Sequence, residues 1–340
     1  VINVVKSDRN VRGQARQPAD STTSRVSGSR GWRQRLRSQG LLAILIALMV
    51  FFTARSEFFL TQSNLFTVAT GATALGIMAA AQTPLIIAGG FDVSVGSVVA
   101  MTTVCLGIFL ANGIPSLVAI ALVLLVAAAI GAINGFIVVN LGVNPLITTL
   151  GTMSIFSGMA FLLSTGQTQV VLDPVLTWIT DTRVVGIPVL LILLALVFAV
   201  ALVIERKTVL GRYIFAIGGN REAARLAGVA VLKVPFLLFV TSSLSAGVAG
   251  VIVTGQLGSA SPQVGPSYML AVVTAVILGG TSLTGGRGSV LGTLIAVLLL
   301  GVLQNGFALL ELPSYVQTVA LGVALILAVL IDQTTQRLER

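Results

Sequence analysis

Histidine is absent from this chain, cysteine occurs once, as Cys105, and charged side chains make up only 9% of 340 residues. Each shortage removes a class of function. A lone cysteine inside an apolar run, with no histidine, leaves nothing for a disulfide, a Cys/His zinc site or a nucleophile paired with an imidazole base. A Gly-rich loop ending in Gly-Lys-Ser/Thr is missing too. The nearest stretch, GGTSLTGGRGS at 279–289, has Arg287 where no such lysine spacing fits, and it reads as a turn. The chain is therefore expected to be no enzyme, with no catalytic residue, metal or bound cofactor of its own.

Acidic groups are also scarce where an ion-coupled carrier needs them, within apolar segments. Of the eleven, Asp8, Asp20, Glu205, Glu222, Asp332 and Glu339 fall in one set of polar segments. Glu57, Asp173, Asp181 and Glu311 fall in the alternate set, which leaves Asp92 alone. One carboxylate is thin provision for ion coupling, so energy is expected to enter from another chain.

What the chain has in abundance is hydrocarbon. Apolar residues make up 56% of it, and the mean hydropathy is +1.02; both lie far outside the soluble range. Apolar runs near the length of a bilayer span are expected at 41–60, 65–87, 94–111, 115–139, 145–164, 187–204, 236–255, 268–284, 289–310 and 315–331. This predicts an all-α integral membrane bundle of about ten transmembrane helices, residues 41–331, with a basic disordered segment at 1–40 and a short tail at 332–340. Lys and Arg resist translocation. With both termini cytoplasmic, eighteen of the twenty basic residues lie inside and only Arg55 and Arg183 outside. The first 40 residues then act as an orientation determinant touching anionic lipid, and neither a nucleic-acid arm nor a cleaved signal peptide is expected.

Two glycine turns interrupt the apolar pattern. In IIAGGFDVSVGSVVAM, 86–101, the Gly89-Gly90 pair frees the backbone, and Asp92, Ser94 and Ser97 can cap the helix that restarts. The same stretch fits either a capped cytoplasmic turn or a helix broken within the membrane. VILGGTSLTGGRGSVLGT, 276–293, echoes it, and GAINGF at 131–136 resembles GVLQNGF at 301–307, which hints at an inverted repeat of two five-helix halves. Asn134, Gln304 and Asn305, with Thr148, Thr149 and Thr274, place uncharged polar groups inside apolar helices. Singly each is explained by hydrogen bonding between helices, while as a set they suit passage of a neutral polar solute.

The polar island at 205–235, ERKTVLGRYIFAIGGNREAARLAGVAVLKVP, stands between two apolar runs. Asn220 is placed to cap a short helix, Glu222 sits in its first turn, Gly228 ends it, and Gly218 and Gly219 allow the turn in. On charge alone, Arg221 and Arg225 also fit an interfacial helix lying on anionic lipid.

GGFDVSVGS, NGFIVVN followed by NPLITTLGTMSI, GRYIFAIGGNREAARLAGV, and AVILGGTSLTGGRGSVLGT with LQNGF occur in this order between about residues 65 and 331. Together they resemble the membrane permease of bacterial ABC importers for ribose, xylose and related monosaccharides. The resemblance implies a homodimeric permease in the inner membrane, an ATPase partner carrying ATP and Mg, and a periplasmic solute-binding protein. Glu222-Ala223-Ala224 with Gly228 four residues on is similar to the opening of the EAA loop of importer permeases, although its Ile-x-Leu-Pro ending is absent and only Pro235 is near. The resemblance makes Arg212, Gly218, Gly219, Asn220, Arg221, Glu222, Ala223, Ala224, Arg225 and Gly228 the expected ATPase-coupling surface. Where such permeases often read Tyr-Glu-Leu-Asp, this chain has Tyr268, Met269, Leu270 and Ala271, which leaves the solute open among other sugars, polyols and a signalling furanose. A stand-alone carrier or facilitator for a small neutral solute is the alternative.

Overall fold

The computed structural model describes residues 27–337 in backbone and 40–330 in side-chain surroundings. Most of the expected disordered segment, 1–26, and the end of the tail lie outside the described residues. Fourteen α-helices follow in chain order among the described residues: α1 Ser27–Arg55, α2 Gln62–Gly71, α3 Thr73–Ile87, α4 Val95–Ala111, α5 Ser116–Gly135, α6 Pro145–Ser164, α7 Pro174–Asp181, α8 Val189–Lys207, α9 Val209–Gly219, α10 Arg221–Leu226, α11 Lys233–Leu257, α12 Gly265–Leu278, α13 Val290–Leu309 and α14 Ser314–Arg337. A π-helical turn, Phe136–Asn140, continues α5. Helix starts follow their capping chemistry. Asn144 and Asp173 each accept two backbone N–H bonds ahead of a proline at the first position of α6 and α7, and Ser289 Oγ accepts from Gly292 N ahead of α13.

The fold is that of an all-α membrane protein. Five helices are long and apolar enough to cross a bilayer, and six if the bent pair α2 and α3 counts as one span. Shorter apolar helices occupy Gly40–Arg55, Val95–Ala111, Val209–Gly219, Gly265–Leu278 and Ser314–Leu330. Central positions belong to α3, α4 and α11, whose residues are buried along most of their length. α11 packs against α5, α3 and α4, and the AAAIGAING run of α5 serves that packing, since a Cβ on Gly131 would stand 2.7 Å from Phe239 O.

Three expectations need correction. α1 begins at Ser27, inside the segment expected to be unstructured; residues such as Arg, Gln and Leu at 33–38 are good helix formers and prolong the apolar helix into its polar flank. The expected single run 65–87 is two helices bent by 45° at Ala72. There Gln256 Nε2 donates to Thr70 O at 3.0 Å, diverting a carbonyl beside Gly71. The expected span 268–284 is the 14-residue α12, roughly 21 Å long at 1.5 Å per residue. It stops at Gly279-Gly280 and is preceded by non-helical backbone, Ser259–Val264.

That preceding stretch is buried in protein. Ser259–Ala260 pairs antiparallel with Gln169–Val170, and Thr103 Oγ1 of α4 donates to Ser261 O at 3.0 Å. Irregular backbone among membrane helices is stable only where such partners replace water. The result is symmetrical: α4 and α12, both short, each follow an extended segment and meet at their N-terminal turns. A Cβ on Gly96 would lie 2.5 Å from Gly265 O, and one on Gly265 equally close to Gly96 O.

Candidate functional site

The turn from α3 to α4 carries the one fully buried carboxylate among the described residues, Asp92. Its Oδ1 accepts from Ser94 N at 2.9 Å and from Ser94 Oγ at 2.5 Å. Ser242 Oγ, on α11, stands 3.0 Å from Asp92 Oδ2 and 2.7 Å from Gln82 Oε1, while Gln82 Nε2 donates to Asp92 O at 2.8 Å. Asn134 Nδ2 on α5 donates to Ser94 Oγ at 2.9 Å. Thr149 Oγ1 on α6 lies 3.3 Å from Phe91 O. Five elements thus converge on one buried polar knot, each held by a hydroxyl or amide rather than by a cation.

Sequence reasoning placed Asp92, Ser94, Asn134 and Thr149 together here but assigned the wrong local role. Asp92 does not cap α4. Its side chain folds back on Ser94, and Ser97 Oγ donates to Ser94 O at 2.7 Å, so the turn is knotted internally and α4 starts without a side-chain cap. Gln82 and Ser242 were missed, because a single amide in α3 and one serine in the SSLS run of α11 carry no spacing signal. Thr148 is buried on α6. Its Oγ1, like Asn134 Oδ1 beside the knot and Ser243 Oγ on α11, has no hydrogen-bond partner within the described residues.

The remaining path candidates lie elsewhere. Asn305 and Asn64 exchange amide hydrogen bonds at 2.8 and 3.0 Å, joining α13 to α2. Gln304 is exposed, and Thr274 Oγ1 is spent on Leu270 O of its own helix at 2.7 Å. A second polar locus missed by the sequence surrounds Ser261, whose Oγ accepts from Thr168 Oγ1 at 3.0 Å. Its only signal was the Gly/Ser/Pro content of GQLGSASPQVGPS, the kind of composition also found in surface loops.

The expected coupling segment is a short two-helix structure. Asn220 Oδ1 accepts from Ala223 N at 2.9 Å, Glu222 pairs with Arg225 at 2.6 Å on an exposed face, and Gly228 leaves α10 with φ +80°. Ala224 points inward. Leu226 is 77% exposed, an apolar side chain standing out beside the Glu222–Arg225 pair. Arg221 reaches toward Val231 O at 3.4 Å, tying the helix to the chain that follows, and Arg212 is exposed on α9.

Gly218 and Gly219 do not form the turn expected of them. Both are helical residues of α9. What Gly218 permits is contact: a Cβ there would overlap the Ile87 carbonyl oxygen and lie 2.5 Å from Gly286 N. Gly286 N in turn donates to Ile87 O at 2.8 Å, and a Cβ on Gly285 would come 3.2 Å from Gly89. The end of α9, the Asp92 turn and the 279–289 turn therefore meet backbone to backbone. The resemblance between the two glycine turns is thus one of neighbours at one end of the bundle. By the expected span count they lie six connections apart rather than five, so their likeness carries no repeat.

A helical membrane bundle with a polar knot buried around one carboxylate, and with an exposed charged helix beside it, is an arrangement suited to a transport permease. Residues 64–331 match the family described as the permease component of the branched-chain amino acid transport system, and the chain belongs to that family. It is a permease subunit of an ABC-type transport system and not an enzyme, with ATP hydrolysis on a partner chain. The chain is 37% identical over 327 residues to the ribose import permease protein RbsC of Escherichia coli K12, covering 93% of this chain and all of that relative. RbsC of Haemophilus influenzae is 35% identical over 87% of this chain and 93% of its own length. The autoinducer 2 import system permease protein LsrD of Photorhabdus laumondii is 37% identical over 75% of this chain and 78% of its own. No solved structure matches the chain.

Proposed function

We propose that the chain is the membrane permease of a bacterial inner-membrane importer for a sugar or sugar-like furanose. A cytoplasmic ATPase docked on residues 219–228 drives it, and a periplasmic binding protein supplies the solute. The observation that carries this reading is the junction of Gly218, Ile87 and Gly286. The exposed α10 continues from α9, and α9 touches both turns at the mouth of the Asp92 knot, so a force applied to α10 has a short, stiff route to the polar path.

Ten crossings with both termini cytoplasmic are supported by the six spans above together with Gly40–Arg55, Val95–Ala111, Gly265–Leu278 and Ser314–Leu330. Under that arrangement 87, 218 and 286 share the cytoplasmic side, in keeping with their contact. α4 and α12 become the third and eighth spans, five apart, and their matched extended entries support an inverted repeat. The solute class is supported by the hydroxyl and amide groups of Ser94, Asn134, Thr149 and Ser242 that gather around Asp92. Hydroxyls and amides reward a neutral polyhydroxylated solute, whereas a zwitterion or ion would require buried charge compensation. The relatives named for ribose and autoinducer 2 import support the same class. Tyr268 to Ala271, in the first turns of α12 against Gly96, are proposed to set which solute is favoured. A homodimer is proposed on the family resemblance.

The test is reconstitution with the cognate ATPase and binding protein in vesicles. Solute uptake that requires external binding protein and internal ATP is expected. Uptake by the permease alone, driven by a solute or ion gradient, would instead establish a stand-alone carrier.

A further inference from the structure

Between α3, α8, α9 and α11 lies a groove of about 540 Å³. Its walls include Ala80 and Pro84 from α3, Val200 from α8, Ile214 from α9, and Leu244 and Val248 from α11. The few polar groups along it are already engaged. Thr241 Oγ1 donates to Leu238 O, Ser245 Oγ donates to Ser242 O, and Glu205 Oε2 accepts from Val290 N at 2.7 Å. The wall therefore offers hydrocarbon and no free donor. Its α8 wall belongs to a peripheral helix, where Leu196 and Val200 are at least half exposed.

At the end where α8 meets α9 the chemistry changes within a few residues. Leu210 and Gly211 close the groove, and Arg206, Lys207 and Arg212 stand exposed around that closure against the single acid Glu205, three positive charges to one negative. Tyr213, also exposed, adds an amphipathic ring of the kind that settles at headgroup level.

We propose that this groove is a binding site for one anionic phospholipid, an acyl chain lying between α3 and α8 and its phosphate at Arg206, Lys207 and Arg212. A groove lined almost entirely by hydrocarbon fits an acyl chain, and the basic rim selects a negative headgroup over a zwitterionic one. A second copy of the chain is a poorer occupant. A second copy seated here would desolvate three cations that one acid beside them, Glu205, offsets.

The purified full-length permease is titrated with phosphatidylglycerol and with phosphatidylcholine, and retained lipid is counted by native mass spectrometry. One phosphatidylglycerol per chain, preferred by about tenfold or more, is expected from two net positive charges at a membrane surface. Arg206→Gln with Lys207→Gln, both exposed, should bring the two lipids to near parity. Ala201→Trp, which fills the groove, should abolish retention of either while circular dichroism keeps the helical signal. Equal retention of the two lipids by the unmodified chain overturns the proposal. So does undiminished retention by a folded Ala201→Trp. If Ala201→Trp converts a dimer to monomers at constant lipid count, the groove is a subunit interface and the proposal fails. Should Ala201→Trp not fold, the exposed double variant decides alone, and an unchanged preference there rules the site out.

Discussion

Asp92 shows how much a single buried acid depends on its neighbours. Its two oxygens take donors from Ser94 and stand against Ser242, and its own carbonyl holds Gln82. Asp92→Ala leaves at least two buried donors without acceptors, each costing about 1–3 kcal/mol, and should lower the thermal unfolding midpoint of the solubilised protein markedly. Asp92→Asn keeps an oxygen for Ser94 N and offers an N–H to Ser242 Oγ, so its loss should be clearly smaller in the same measurement. Gly218 makes a sharper contrast with its neighbour. A methyl on Gly218 overlaps the Ile87 carbonyl, whereas one on Gly219 meets nothing within 4 Å. Gly218→Ala should cost on the order of 1–3 kcal/mol through forced backbone shifts and uncouple ATP hydrolysis from uptake. Gly219→Ala should stay within about 0.5 kcal/mol and transport normally. Equal behaviour of the two in a paired uptake and ATPase assay would remove the junction from the mechanism.

At the scale of elements, α10 is six residues long and cannot sustain itself by propagation of helical hydrogen bonds. Its cap therefore matters more than it would on a long helix. Asn220→Ala should destabilise it by about 1 kcal/mol and weaken co-purification of the ATPase, while Asn220→Asp, which retains the acceptor, should restore it; loss of binding in both would point to a direct contact by the amide. This element was legible in the sequence, since Asn220, Glu222 and Gly228 sit in positions that only a capped helix explains. α12 was not. Its 14 residues were read as the longer run 268–284 because the apolar count was carried past Leu278 through Gly279-Gly280 to Leu283. The helix begins three residues before the expected start and ends at the Gly279-Gly280 pair, where Gly280 takes φ +93°, and the strand-like stretch before it is held by Thr103 and by residues 169–170, partners more than 80 positions away. The bend at Ala72 was hidden in the same way, as the Gln256 amide that meets Thr70 O there comes from a remote part of the chain.

For the whole molecule the testable quantity is orientation. With Cys105 replaced by serine, a cysteine at exposed Arg225 should react with an impermeant maleimide only from the cytoplasmic face, and one at exposed Trp178 only from the opposite face. Labelling of both from one side would contradict the ten-crossing arrangement. Composition alone decided that this is a membrane protein, because the energy of transferring apolar surface is additive and needs no knowledge of neighbours. Helix starts were likewise local, written in Asn144, Asp173 and Asn220. The tertiary structure alone decided that Asp92 answers to Gln82 and Ser242, that α4 and α12 meet at Gly96 and Gly265, and that Gly218 is a point of contact rather than part of a turn. Close backbone approach and buried hydrogen bonding depend on distances between segments remote in the chain, and no local pattern of residues records them.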